Sequence, residues 1–361
     1  MAKLLKNLYD ENYITTLGNN ISCVYPRFEK DKFRLDIFNN EWEYKELKQR
    51  MRHISTTIGK NLSLEYSLSI EILKKAFLKM PEDKYLENMI FQDFVEVYGL
   101  EEFDISYDAL ECFTQNSSSE FAIRQFILKD ENKTMNQMKH WAKQKSEHTR
   151  RLATEGCRSR LPWAISLNSF KKDPSKIIEI LNILKYDTSK YVQKSIANNL
   201  NDISKDNPAK VKQIAKNWIG ESKSIDWIVK HGCRTLLKDG DIEVLNTFGF
   251  LPLEDIEIKD IKVSKEVFMG NSLNFSFNLT SKKKLGKLRI EYAITFARLN
   301  GKSNRKVFKI CEGEYKENHL NIIKQYSFKK ITTRKYYVGK HTLEIIVNGV
   351  SLDIKEFDLL K

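Results

Sequence analysis

Up to about residue 250 the apolar positions recur at helical spacing. In "SIEILKKAFLKM", which starts at Ser69, the residues Ile70, Leu73, Ala76 and Phe77 fall on one face. "PSKIIEILNILKY" repeats the pattern with Ile177, Ile180, Leu181 and Leu184. It opens with Asp173 as the expected N-cap and Pro174 at the expected first helical position. Asn207 and Pro208 give the same start signal before "AKVKQIAKNWI". Short helices are also expected at "HTRRLATEG" from His148, "YVQKSIANNLNDI" from Tyr191 and "DWIVKHGCRTLL" from Asp226. Their spacing of about 35 to 45 residues suits two-helix repeats of HEAT type.

After "FGFLPLEDIEIKDI" the period changes to two. "SLNFSFNLT" alternates Leu273, Phe275, Phe277 and Leu279, and "KLRIEYAITFARL" alternates Leu288, Ile290, Tyr292, Ile294 and Phe296. "HTLEIIVNG" carries Leu343, Ile345 and Val347. Asn300–Gly301 and Asn348–Gly349 are hairpin-turn dipeptides. About seven short strands predict a small immunoglobulin-like β-sandwich, without the inter-sheet disulfide and its tryptophan. The expected architecture is mainly α: a HEAT-like helical solenoid over 1–254, then the sandwich over 255–361.

Composition narrows the classes. The hydrophobic share of 41%, the charged share of 30% and a mean hydropathy of −0.49 suit a soluble globular chain. No apolar run approaches the ~20 residues of a membrane span. The opening "MAKLLKNLYDENYI" mixes lysines and acids into its apolar residues, so a cytoplasmic protein is expected. Five scattered cysteines without a CxxC pair argue against a disulfide framework or a structural zinc. The histidines show no HExxH spacing, and neither a GxGxxG after a strand nor a P-loop is present. No cofactor and no metal are expected.

The net charge of +13 is unevenly placed. Residues 255–361 hold 22 Lys and Arg against 12 Asp and Glu, while the preceding 254 residues are nearly balanced. Such a field attracts polyanions. The alternative is a lysine-rich surface that serves only solubility.

One stretch concentrates candidate chemistry: "HTRRLATEGCRSRLPWA", His148 to Ala164. Helical spacing puts Arg151 and Glu155 one turn apart, with Arg158 a turn further on. Pro162 disfavours helical geometry at Leu161, so the helix is expected to end near Arg160. Two readings stand at this point. The stretch is either a solvated ion-paired helix end with a core tryptophan behind it, or a site that holds something anionic.

The stretch resembles the signature of the AlkC-type DNA glycosylases, alkylated-base repair enzymes built on HEAT-like repeats. "SSSEFAIRQFI" from Ser117 and "WIVKHGCRTLLK" from Trp227 are similar to that family's pattern too, and one branch of the family appends an immunoglobulin-like domain. The resemblance spans essentially the whole chain. It implies hydrolysis of the N-glycosidic bond of 3-methyladenine and 3-methylcytosine in duplex DNA, without base flipping. Methylation at N3 makes the base cationic and already a good leaving group. What remains is to stabilise an oxocarbenium-like sugar, which a carboxylate and an aromatic face can do.

Carried onto this sequence, the resemblance makes Glu120 and Glu155 the candidate carboxylates and Trp163 the aromatic partner, with Asp202 in "NNLNDISK" a third acid. Glu120 also reads as a helix-start acid beside capping serines, and Asp202 as a solvated helix end. Arg150, Arg151, Arg158 and Arg160 are the expected phosphate holders, because the guanidinium fork matches two phosphate oxygens. Lys194, Lys230, His231 and Arg234 recur at comparable places and are expected to extend that track. The expected partner is double-stranded DNA with alkylated bases, bound by a monomer with no membrane association. Basic loops at 281–287, 298–306 and 329–335 are expected to reach its far side. The rival from another class is a non-catalytic HEAT-type scaffold that binds protein or nucleic acid. The segment from Met1 to Asp104 is read as packing, with no chemistry.

Overall fold

In the computed structural model, residues 4–298, 304–332 and 334–361 are described. The expected turn Asn300–Gly301 and parts of the basic loops 298–306 and 329–335 lie outside those residues. Among the described residues there are sixteen α-helices, followed by eight β-strands. Among the described residues no helix is long and apolar enough to cross a membrane.

The chain divides into two compact units, 1–207 with 222–228 and 208–221 with 229–361. The first is a helical repeat array whose members present their apolar stripes inward. Helix Tyr66–Phe77 buries Ile70, Leu73, Ala76 and Phe77, and helix Ser175–Leu184 buries Ile177, Ile180, Leu181 and Leu184. The latter starts one residue later than expected, with Pro174 at the cap. Asp173 still accepts from the Ser175 backbone N–H at 3.2 Å, so the same carboxylate serves the first turn.

Helix Glu147–Glu155 ends well before Arg160. Pro162 disfavours helical geometry at Leu161 and has no N–H for the Arg158 carbonyl, but the helix stops before either position. The buried Arg124 guanidinium draws the carbonyls of Gly156 and Arg158 to itself at 2.9 and 2.8 Å. The Gly156 carbonyl is then lost to helical bonding, the Arg158 carbonyl gains the donor that Pro162 cannot supply, and Arg158 lies in a loop rather than on the helix.

The second unit contains the sandwich. Its strands are β1 Glu257–Val263, β2 Glu266–Phe268, β3 Ser272–Thr280, β4 Gly286–Phe296, β5 Asn304–Tyr315, β6 His319–Ser327, β7 Gly339–Val347 and β8 Val350–Leu360. One sheet has the order β1-β3-β6 and the other β2-β8-β7-β4-β5. All pairings are antiparallel except β2 with β8. The alternating residues of β3, β4 and β7 form one core, in which Tyr292 packs 5.1 Å from both Phe275 and Phe308. Asn348 and Gly349 take positive φ (45° and 80°), as a two-residue hairpin turn of this hand requires.

β4 departs from simple alternation. Its other face is buried as well, and there Arg289 pairs with Glu291 at 2.6 Å and with Glu312 at 2.9 Å. The last helices of the unit cover that face. Lys230 reaches Glu312 at 2.9 Å, and Gly240 lies so close to the Gly349 backbone that a Cβ there would meet its oxygen at 3.3 Å.

Candidate active site

Helix Glu147–Glu155 starts at Ser146, whose hydroxyl accepts from the Thr149 N–H at 3.4 Å. Its buried side packs on helix Lys190–Ile203. Arg151 and Glu155 stand one turn apart on a face that tertiary packing encloses, and each finds partners on other elements. Arg151 donates to Glu120 at 2.8 Å and lies 3.7 Å from Glu155. Glu155 accepts from Arg158 at 2.6 Å on one oxygen and from the Ser195 hydroxyl at 2.6 Å on the other. Arg158 then donates to Asp202 at 2.8 Å.

The result is an alternating chain: Glu120, Arg151, Glu155, Arg158, Asp202. It begins and ends on a carboxylate, with three acids around two guanidiniums. Lys205, at the protein's surface, meets the outer oxygen of Asp202 at 3.3 Å. Burial lowers the pKa of Arg151, but Glu120 and Glu155 outweigh it and hold the value above the ordinary range. Its guanidinium also lies 4.6 Å from the Tyr191 ring centre, and Tyr191 meets the Tyr85 hydroxyl at 3.2 Å. Burial pushes the Tyr191 phenol up, so it stays neutral.

The carboxylates are not equivalent. Both oxygens of Glu155 are engaged, and its side chain is 7% exposed. The bonds to Glu120 fall on Oε2, from Ser118 and Arg151, both at 2.8 Å. Its Oε1 accepts no hydrogen bond among the described residues, and its side chain is 15% exposed.

The loop after the helix presents Trp163. Leu161, Pro162, Trp163 and Ala164 form a turn closed by Ala164 N–H donating to the Leu161 carbonyl at 3.2 Å. With proline second and φ of 65° at the third residue, the turn has the type II pattern, which normally places glycine or asparagine where Trp163 stands. The indole is 62% exposed, so it is not a core residue. Three groups hold the loop: Arg124 donates to the Ile165 carbonyl, Leu167 N–H to the Ser159 carbonyl at 3.2 Å, and Lys48 Nζ to the Trp163 carbonyl. Burial lowers the Arg124 pKa to about 10.

Glu120, Glu155, Asp202, Arg151 and Arg158 therefore come together in the first unit. The arginines hold carboxylates in the places where phosphates were expected. Arg150 is a structural clasp: it binds Asp187 and the carbonyls of Gln144 and Lys145, which occupies four of its five donors. Arg160 forms an exposed two-pronged pair with Asp206 at 2.9 and 2.6 Å. Lys194 is exposed. Lys230, His231 and Arg234 belong to the second unit, where Lys230 serves Glu312 and Arg234 donates to the His231 carbonyl at 2.7 Å. Sequence reasoning missed Lys48, Arg124, Tyr191 and Ser195. Arg124 lay inside the quoted "SSSEFAIRQFI", while Lys48 gave no signal at all.

A family model described as DNA alkylation repair enzyme matches residues 71–238, and one described as the C-terminal Ig-like domain of the uncharacterised protein YhaZ matches 257–361. The chain is 42% identical over 357 residues to YhaZ of Bacillus subtilis (strain 168), covering 98% of this chain and 99% of that one. A solved structure of the Pseudomonas fluorescens alkylpurine DNA glycosylase AlkC, bound to DNA containing an abasic site analog, is similar at a TM-score of 0.94 and 32% identity. That match covers 99% of this chain and 100% of the other.

Proposed function

The chain belongs to the DNA alkylation repair enzyme family, in its AlkC-like form with a C-terminal Ig-like domain, and from this we propose that it is a DNA glycosylase acting on alkylated bases. Its substrates in this reading are cationic N3-alkylated bases, 3-methyladenine and 3-methylcytosine, in duplex DNA, cleaved without base flipping. The observation that carries it is the carboxylate–guanidinium chain that ends on Glu120, with one oxygen of that carboxylate left open.

The leaving base is already positive, so no acid need protonate it. As the glycosidic bond lengthens, positive charge moves onto the sugar. Lys205 balances Asp202 at one end of the chain, and at the other end Glu120 is the carboxylate with an open oxygen that a sugar cation can meet. A carboxylate ~4 Å from that cation supplies about 4 kcal/mol at an effective dielectric near 20, roughly a thousandfold in rate. Glu120 is the group with an oxygen available for this contact and for ordering the attacking water. Glu155 and Asp202 act through the arginines, adding their charge and holding the chain in place. Buried ion pairs are costly to desolvate, so a chain of this kind is better explained by function than by stability. The Trp163 face adds a cation–π contribution of about 0.5 to 2 kcal/mol. The basic sandwich supplies the sequence-independent hold on the phosphates.

The test is release of base from methylated duplex DNA. The wild-type chain releases 3-methyladenine and 3-methylcytosine. Glu120→Gln binds the same duplex and cleaves it about a thousandfold more slowly. No release by the wild-type protein would leave the non-catalytic scaffold as the better reading.

A further inference from the structure

Helix Leu47–Leu62 lies in the part of the chain that the sequence marked as packing only. Its first turn is stiff, because the Gln49 side chain accepts from the Glu46 backbone N–H at 2.8 Å. Lys48 extends from this turn to two segments that are distant in sequence. Its Nζ donates to the Trp163 carbonyl, and the same nitrogen lies 4.5 Å from the centre of the Phe121 ring. Phe121 directly follows Glu120. One ammonium thus touches the turn that carries the open carboxylate and the turn that carries the strained indole.

Its neighbours explain this choice of partners. Lys48 lines a cleft of about 490 Å³ with Arg52, Asp93, Glu96 and Phe121. The acids of that cleft are taken by Arg52, which binds Asp93 in a fork at 2.9 Å and also reaches Glu96. Lys48 makes no ion pair with them, and its donor goes to a backbone carbonyl and its charge to an aromatic face. A tryptophan in the left-handed region relaxes unless its surroundings hold it there, and this bond grips the peptide that carries the strain. Resting on the glycosylase reading above, we propose that Lys48 is a positioning residue for the reaction, tying the Trp163 turn to the Glu120 turn so that indole and carboxylate face one sugar together.

The experiment uses the full-length chain with Lys48→Met, which keeps the stem and removes the charge, and Lys48→Arg, which keeps both charge and reach. Single-turnover release of methylated base at saturating protein is read beside acrylamide quenching of Trp163, taken as the difference between each protein and its Trp163→Phe counterpart, with duplex affinity, its salt dependence and the thermal midpoint as controls. Lys48→Met is expected to slow release roughly ten- to a hundredfold, the scale of a small misplacement of reacting groups. Its duplex affinity and thermal midpoint stay at wild-type values, its Trp163 quenching changes, and Lys48→Arg recovers most of the rate. Wild-type release together with wild-type quenching in Lys48→Met overturns the proposal. So does an intact rate at saturation with a salt dependence of binding flatter by about one unit, since Lys48 would then be a phosphate contact. If the wild-type chain released no base, the glycosylase reading would fall by itself, and the quenching comparison would still decide whether Lys48 holds Trp163.

Discussion

Trp163 occupies a backbone conformation that its own side chain disfavours, and its ring faces outward. Strain of this kind costs of order 1 to 3 kcal/mol and is kept only where the surroundings enforce it. Trp163→Gly is therefore expected to leave the fold as stable as wild type or up to about 1 kcal/mol more stable, while base release falls by about two- to thirtyfold. Thermal unfolding and single-turnover release, measured on the same preparation, check this. Loss of stability with unchanged release would mean that the indole is packing after all. The same scale separates the carboxylates. Glu155 is saturated by Arg158 and Ser195, whereas Glu120 keeps an oxygen free, so two acids that look alike in the sequence sit in different surroundings.

At the scale of elements, the loop 156–167 is shaped mainly by a residue outside it. Arg124 is fully buried and donates to the carbonyls of Gly156, Arg158 and Ile165. A lysine has the charge but not the fork. Arg124→Lys is expected to cost about 2 to 3 kcal/mol, because carbonyls are left unsatisfied in a buried place, and to reduce base release with it. Urea unfolding at neutral pH measures this, and a wild-type midpoint would refute it. In the sandwich, His341 is buried between strands. Its Nδ1 faces the Ala297 N–H at 3.3 Å and its Nε2 faces the Tyr337 carbonyl at 3.0 Å, so the neutral ring accepts at one nitrogen and donates at the other. Burial lowers its pKa, although the Tyr337 carbonyl and Asp358 pull the other way. The unfolded chain therefore takes up a proton near pH ~6.5 that the folded chain refuses until lower pH, and stability falls as pH drops through that window. The stability advantage of wild type over His341→Gln should shrink between pH 7 and pH 5. A constant difference would show that His341 does not titrate differently on folding.

For the whole molecule, the uneven charge is the guide. The ten excess positive charges of residues 255–361 suit a surface that holds a phosphate backbone. Lys282, Lys283 and Lys284 are exposed in the loop between β3 and β4. Replacing all three by glutamine is expected to lower the slope of log affinity against log salt by up to about 3, since each lost phosphate contact contributes about 0.9. The release rate at saturating protein should not change. A slope equal to wild type would remove this loop from the interface.

Much of the fold was legible in the chain itself. A period near 3.6 followed by a period of two specifies helices and then strands, because one apolar face per element must be buried. The residues expected inside β3, β4 and β7 are those found there. The signature around Glu155 and the positive C-terminal segment were equally plain. What spacing could not supply was partnership between elements. The helix was expected to run to Arg160, but a buried arginine some thirty residues upstream in sequence ends it at Glu155. The arginines were expected to meet phosphate, but beside the local Glu155 they find Glu120 and Asp202, which approach from separate segments. Lys48 had no local mark, since a lysine in the first turn of a helix is ordinary until packing places a strained tryptophan beside it. Local periodicity reports which face of an element is covered. Only the folded chain decides what covers it, and in this protein those contacts across elements set the charge, order and exposure of the candidate site.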